Sequence, residues 1–392
     1  MGVDKCKFRV LKYDRLTSAR AGILEINRYK IKTPALWLGH NLNLDVLPWT
    51  YKAIKPAGLF LNAYHIINKP VYRKRVKIEG IRRLLKYNGP IFIDSGGFLF
   101  QNSKDMTINP DTIIDLYKQL KPEIGAVLDH PLNPLSSAKD NSKRWATTLR
   151  NLKIMLRIKN KIVIMPILHC YDLTNIEKIC GQIKKIIPKP KVIGVGSLVP
   201  LLKGSYTGNR FFYDFRGQTS QHLKFVLKLL KRVRQEFPNS FLHVFGVGSI
   251  STMMLMFSLG VDSVDSVGWR LKAAYGAIQL PGTSDRFLKK RKIADRKRRT
   301  LTNNDKEILK KCKCPICCRY NRNSFSNLRK RLENSFESRA LHNSYIFTKE
   351  INSLRDKINQ GVADSFIFQS LRNIPKYFSI FKYLYNENSR GS

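Results

Sequence analysis

The sequence predicts an α/β protein built as a (β/α)8 TIM barrel. Two observations carry this: short apolar runs alternate with stretches of helical spacing, and polar residues recur at the C-terminal ends of those runs. After a basic lead-in, ILEINRYKIKTPALWLG is rich in β-formers and closes near Leu38. Leu59–Asn62, Ile91–Asp94, Ile124–Asp129, Ile162–His169, Val192–Ser197, Leu242–Gly246 and Val261–Asp265 then read as strands, which with the first makes eight. Thr112–Leu120, Asp140–Lys159, Leu173–Ile187 and Gln218–Phe237 have helical spacing between them. A doubly wound sheet shares that alternation. The register of the polar residues favours the barrel: Asn62, Asp94, Asp129, His169, Ser197 and Asp265 each end a different strand, and a barrel gathers those ends around one mouth. Taken singly, each is a cap or turn residue.

Charge narrows the function. The 392-residue chain carries 71 Lys and Arg against 28 Asp and Glu, a net charge of +43. Drift in base composition would exchange Arg for Lys without emptying the surface of acids, so a polyanionic partner, a nucleic acid, is expected ahead of a membrane surface. No run approaches the roughly 18 apolar residues of a membrane span, and MGVDKCKFRVLKYD has no apolar signal core, so a cytoplasmic protein is expected.

The stretch Phe241–Arg270, FLHVFGVGSISTMMLMFSLGVDSVDSVGWR, reads as strand, glycine turn, helix and second strand, ending on Asp265. A carboxylate there is either a local cap or a nucleophile. GVGS occurs at Gly194 and again at Gly246; neither copy completes GxGxxG, and tight strand-to-loop turns account for both.

Past the strands the texture changes. Leu288–Arg299, LKKRKIADRKRR, is a solvated basic run, either a linker or a phosphate-contacting segment. Cys312, Cys314 and Cys317 form CxCxxC, and His342 follows 25 positions after Cys317. Three thiolates and an imidazole make a closed tetrahedral site, so structural zinc is the expected cofactor. Cys318, adjacent to Cys317, is poorly placed to join the same ion; Cys6, Cys170 and Cys180 read as buried thiols. Leu341, Tyr345, Ile351, Leu354 and Ile358 suit an amphipathic helix, and the residues from about Gly361 show little pattern. The expected organisation is a barrel over 1–285, a basic and zinc-binding subdomain over 286–342, a last barrel helix over 343–360 and an extension over 361–392.

FIDSGGFLFQ at Phe92–Gln101, LFLNAYHI at Leu59–Ile66, GVDxxD ending at Asp265, and CxCxxC followed by LHN together resemble the tRNA-guanine transglycosylase superfamily from about Gly22 to Ile358. The resemblance implies a (β/α)8 barrel with an inserted zinc-binding subdomain before the last helix. It implies base exchange: guanine is cut from its sugar in a nucleic acid and a 7-deazaguanine takes its place. This is a retaining displacement at an anomeric carbon that needs two carboxylates in different roles. Matched motif by motif, Asp265 takes the nucleophile position and Asp94 the general acid/base position. Asp129 takes the carboxylate that accepts from the guanine edge, Ser95 a base-contacting position and Phe98 the stacking aromatic. Gly196 and Ser197 fall where backbone amides meet the heterocycle, and Asn62 and His65 match the pair at the second strand end. His169 stands where the family usually carries Gln; an imidazole there can still donate to a base carbonyl.

The string SVGWRLKAAYG stands where the bacterial tRNA enzymes carry a proline- and arginine-rich loop, while GSLVPLL and Ser266 directly after Asp265 are more similar to the archaeal branch. With too few residues after Ile358 for the RNA-binding domains of the archaeal enzymes, the DNA-guanine transglycosylase branch is expected. The reaction would insert a preQ0-type base into DNA, with tRNA as the alternative substrate. A flipped guanine would then stack on Phe98 and on Trp269. The remote alternative is an inactive nucleic-acid-binding subunit, although Asp94 and Asp265 are both retained. A homodimer or helper proteins are compatible with the resemblance.

Overall fold

The computed structural model describes residues 6–42, 44–102, 108–133, 136–158, 161–203, 219–289, 292–293, 296–297, 299–321 and 324–389. Three strands open it: β1 (Cys6–Tyr13), β2 (Arg20–Ile26) and β3 (Tyr29–Thr33) form an antiparallel sheet of their own. The lead-in and the ILEINRYKIKT segment are therefore a layer outside the barrel, and the first barrel strand is β4 (Ala35–Gly39). Arg20 ties the layer to the barrel: its guanidinium is buried and forks onto Asp262, with 2.8 Å contacts to both carboxylate oxygens.

The barrel continues through β5 (Gly58–Asn62), β6 (Ile91–Asp94), β7 (Ile124–Ala126), β8 (Val163–Met165), β9 (Ile167–Leu168), β10 (Val192–Val195), β11 (Phe241–Val244) and β12 (Ser263–Ser266). All neighbours pair in parallel in the order β8-β7-β6-β5-β4-β12-β11-β10-β9. The nine segments are eight strands. Pro166 cannot donate to a ladder and splits the fifth into β8 and β9, which pair on opposite sides and close the ring. The expected strand over Ile162–His169 is thus interrupted, and the one over Ile124–Asp129 stops at Ala126, leaving Asp129 in the following loop.

The strands are short, apolar and buried on both faces, as parallel strands under helices must be. Aromatic rings fill the interior: Trp37 and Phe60 pack edge-on against Phe92 at 5.5 and 5.1 Å, and His243 lies 5.0 Å from Phe92 and 4.5 Å from Phe245. Crossover helices over Pro110–Leu120, Ala138–Met155, Ile176–Ile186 and Thr219–Glu236 agree with the expected ones to within a few residues.

Beyond the barrel, helices Asn303–Lys310, Pro315–Tyr320 and Phe325–Asn334 carry the cysteine segment. The helix expected over 343–360 begins earlier, at Phe336, and its first turns include His342. Residues in which no pattern was found form two more helices, Ala363–Leu371 and Pro375–Ser389. These pack against Ile250–Ser258 and, for the latter, also Thr219–Glu236. Of the basic run 288–299, residues 290–291, 294–295 and 298 lie outside the described residues; Lys292–Ile293 and Arg296–Lys297 pair as two short strands.

Candidate active site and metal centre

Asp94 ends β6 and Asp265 lies in β12, with β5 and β4 between them on the ring, so both belong to one mouth. Asp129 joins them from the loop after β7. Asp94 feels the other two. Burial, then the charges of Asp129 and Asp265, push the Asp94 carboxyl well above the usual carboxylate range. Asp94 Oδ2 accepts from Asn62 Nδ2 at 2.6 Å and from Gly96 N at 3.2 Å. Asn62 caps the helix Ala63–Ile67 with its other side-chain atom, accepting from Tyr64 N at 2.9 Å, so one residue both starts a helix and fixes Asp94.

Asp265 is not a helix cap. The helix Gly268–Ala274 begins without a side-chain cap, and Asp265 Oδ1 instead accepts from Gly246 N at 2.8 Å in the turn after β11. Its Oδ2 has no hydrogen-bond partner among the described residues. Gly246 reaches this position with φ of +74°, where a side chain would be strained.

Asp129 is held from two sides. Ser95 Oγ donates to Oδ1 at 3.2 Å, and His169 Nε2 lies 3.0 Å from Oδ2. Both Ser95 and His169 are fully buried. In this structure both side chains lie against the Asp129 carboxylate. Gly196 has no room for a Cβ because the His169 ring would lie 2.6 Å from it, and its N–H is spent on Leu168 O at 2.9 Å. Ser197 adopts φ of +61°; its hydroxyl accepts from Leu132 N at 3.0 Å and bonds His169 Nδ1 at 2.9 Å.

The glycines of DSGGF have separate reasons. Gly96 takes φ of +84°, and a Cβ on Gly97 would collide with the Asp129 backbone and carboxylate. The turn carries Phe98 out to the mouth, where it is 51% exposed. His65 sits half-buried on the helix after Asn62, and burial holds its pKa below the ordinary value. Trp269 departs from expectation. It is fully buried and its indole donates to Gly39 O at 3.0 Å, so it cannot stack on a base.

One residue of this site escaped the sequence reading. His243 is buried inside the barrel, its Nε2 3.4 Å from Asp265 Oδ1 and its Nδ1 2.8 Å from Ser263 Oγ. In FLHVF it reads as one polar position in a core strand. Only the pleat, which places 243 on the inner face beside the end of β12, could have marked it.

The cysteine cluster forms as expected. Ligand atoms of Cys312, Cys314, Cys317 and His342 lie within 4.8 Å of one another, with His342 Nδ1 3.9, 3.4 and 3.4 Å from the three sulfurs in turn. A tetrahedral ion with bonds of about 2.3 Å to sulfur and 2.0 Å to nitrogen spaces its ligands about 3.4–3.8 Å apart, so the residues fit a metal such as zinc. His342 Nε2 donates to Gln279 O at 2.9 Å, which leaves Nδ1 as the ligating atom. Cys318 is exposed and turns away from the cluster, its Sγ 3.8 Å from Cys312 O.

A closed β/α barrel with three carboxylates at its mouth and a three-cysteine, one-histidine cluster beyond its last strand defines the class. Residues 14–376 match the family model described as queuine tRNA-ribosyltransferase, and the chain belongs to that family. It is similar to the tRNA-guanine(15) transglycosylases of Thermococcus onnurineus and Pyrococcus furiosus, 26% identical to each over 96% and 95% of this chain. The corresponding protein of Methanococcus aeolicus is 24% identical over 93% of the chain. The match covers 59%, 57% and 52% of those three relatives, so the chain spans under two thirds of their length. No described helix is long and apolar enough to cross a membrane.

Proposed function

We propose that this protein is a guanine transglycosylase that exchanges guanine in tRNA for a 7-deazaguanine. The observation that carries the reading is the unequal setting of the mouth carboxylates: Asp265 has one oxygen anchored and one open, while Asp94 is driven toward its protonated form. In this reading Asp265 Oδ2 attacks C1′ of the nucleoside, the C1′–N9 bond breaks, and the sugar is held as an ester on Asp265. Asp94 gives its proton to the departing guanine. Asp129 accepts from the guanine edge and Phe98 stacks on its face. The incoming base then gives a proton to Asp94 and attacks C1′, which frees Asp265. A structural zinc at the cysteine cluster would hold the segment after the barrel and take no part in the exchange.

The names of the relatives support tRNA as the polymer, against the DNA expected from the sequence. The stacking role that Trp269 was to play on flipped DNA is also lost to burial. The test is incubation with labelled guanine and, separately, unmodified tRNA or duplex DNA. Label in tRNA supports the reading. Label in DNA alone moves the substrate and keeps the chemistry; label in neither overturns it. Asp265→Ala should remove all incorporation.

A further inference from the structure

We propose that His169 and His243 are positioning residues, each aiming one mouth carboxylate with a ring whose tautomer is set by a serine. The inference rests on the base-exchange reading and deepens it by assigning recognition and chemistry to separate histidine–carboxylate pairs.

The two arrangements repeat on different strands. Ser197 Oγ bonds His169 Nδ1 at 2.9 Å, and His169 Nε2 lies 3.0 Å from Asp129 Oδ2. Ser263 Oγ bonds His243 Nδ1 at 2.8 Å, and His243 Nε2 lies 3.4 Å from Asp265 Oδ1. Ser197 already accepts from Leu132 N, so its own proton is satisfied by donating to His169. Ser263 is fully buried, and its proton has the same outlet. With Nδ1 accepting, the ring proton sits on Nε2, the atom that faces the carboxylate in both pairs; a bare lone pair there would repel it. Neither Nε2 makes a hydrogen bond of ordinary geometry in this structure, although each lies within 3.4 Å of its carboxylate oxygen and has no other partner among the described residues.

The rings themselves are fixed. Gly196 supplies the space against which His169 rests, and Trp145 packs edge-on to it at 6.4 Å. His243 is walled by Phe92 and Phe245, and burial keeps it neutral, so it offers Asp265 a hydrogen-bond donor without a full counter-charge. A cation there would damp the nucleophile. On the Asp265 side, Gly246 N and His243 both address Oδ1, which leaves Oδ2 directed at the sugar. On the Asp129 side, Ser95 and His169 take one oxygen each and fix the plane of the carboxylate for a base with adjacent N–H donors.

The test compares His→Asn with His→Gln at each site in steady-state exchange of labelled guanine into tRNA. The Asn amide reaches the serine but not the carboxylate; the Gln amide nitrogen reaches the Nε2 position. His169→Asn should raise the KM for guanine about 10- to 100-fold, the loss of one hydrogen bond to a charged group, with kcat nearly unchanged. His243→Asn should lower kcat by about the same factor and leave that KM in place. Gln should restore most of each loss. If an Asn variant melts below the assay temperature, Ser197→Ala or Ser263→Ala replaces it with the same split expected. A wild type that exchanges guanine while the variants lose kcat and KM together, lose neither, or gain nothing from Gln overturns this inference alone. A wild type that exchanges nothing overturns the base-exchange reading beneath it.

Discussion

At the scale of single residues the site is a lesson in unequal carboxylates. Asp94 sits behind two other acids in a buried setting, so its proton is bound more tightly in the fold than in the unfolded chain. The sign of the pH effect follows. Below the unfolded carboxylate pKa of about 3.9 both states are protonated, and between that value and the raised folded value only the native state keeps the proton. Stability from this group is thus full in acid and is lost as pH rises through the folded pKa. Asp94→Asn, permanently neutral, should melt above the wild type at pH 8 and level with it at pH 3.5, while losing at least about 100-fold in exchange rate because no proton can be given or taken. Thermal melts at the two pH values check the first half and labelled-guanine incorporation the second; equal melting at pH 8 would count against a buried, protonated Asp94. The positions of Asp94, Asp129, Asp265 and Phe98 could be read from the sequence because each lies at or just past the end of an apolar strand or follows a glycine turn. What Ser95 and His169 touch could not, since a side chain's direction at a strand end depends on where the neighbouring loop delivers Asp129.

At the scale of elements, the alternation of apolar runs and helical spacing was enough to place the eight strands, because parallel strands buried on both faces have few other ways to look. Two features were hidden. The antiparallel layer β1–β3 alternates charged and apolar residues where the barrel strands are apolar, yet both read as β-strands, and its place outside the ring is set by its pairing. The helices Ala363–Leu371 and Pro375–Ser389 bury apolar residues against other helices while leaving most of their aromatic ones, Phe381 excepted, partly exposed, which blurs the period of their pattern. The cysteine cluster was legible for the opposite reason, since its spacing is set by ligand chemistry and not by packing. It joins the helix Pro315–Tyr320 to the long helix Phe336–Gln360, and through His342 and Asn343 it reaches the backbone of Gln279. Cys314→Ser should therefore remove one bound metal per chain and destabilise the fold by about 4 kcal/mol or more, the range that follows loss of a structural metal. Metal analysis together with denaturant titration, before and after zinc is added back, is the check; a variant that keeps its metal or its stability would refute the assignment.

At the scale of the whole molecule, the charge of +43 needs an outlet that the barrel mouth alone does not supply. Part of it lies on two exposed faces: Arg73, Lys74 and Lys77 on the helix Pro70–Glu79 that follows the Asn62 strand end, and Lys310, Lys311, Lys313, Arg319, Arg329 and Lys330 around the cysteine cluster. Exposed lysines and arginines on these faces, few of them paired with acids, are suited to phosphates. Each phosphate neutralised releases condensed counterion, so the logarithm of the affinity for nucleic acid should fall linearly with the logarithm of salt concentration. Lys311→Ala together with Lys313→Ala should flatten that line by about 0.7 per lost contact on single-stranded regions and about 0.9 on duplex. Base selection should be untouched, because the mouth carboxylates keep their partners. Filter binding of tRNA from 50 to 300 mM salt, read beside the KM for free guanine, distinguishes the two effects. An unchanged slope would remove the cysteine segment from the nucleic-acid face, whereas a changed guanine KM would mean that the segment reaches the mouth itself.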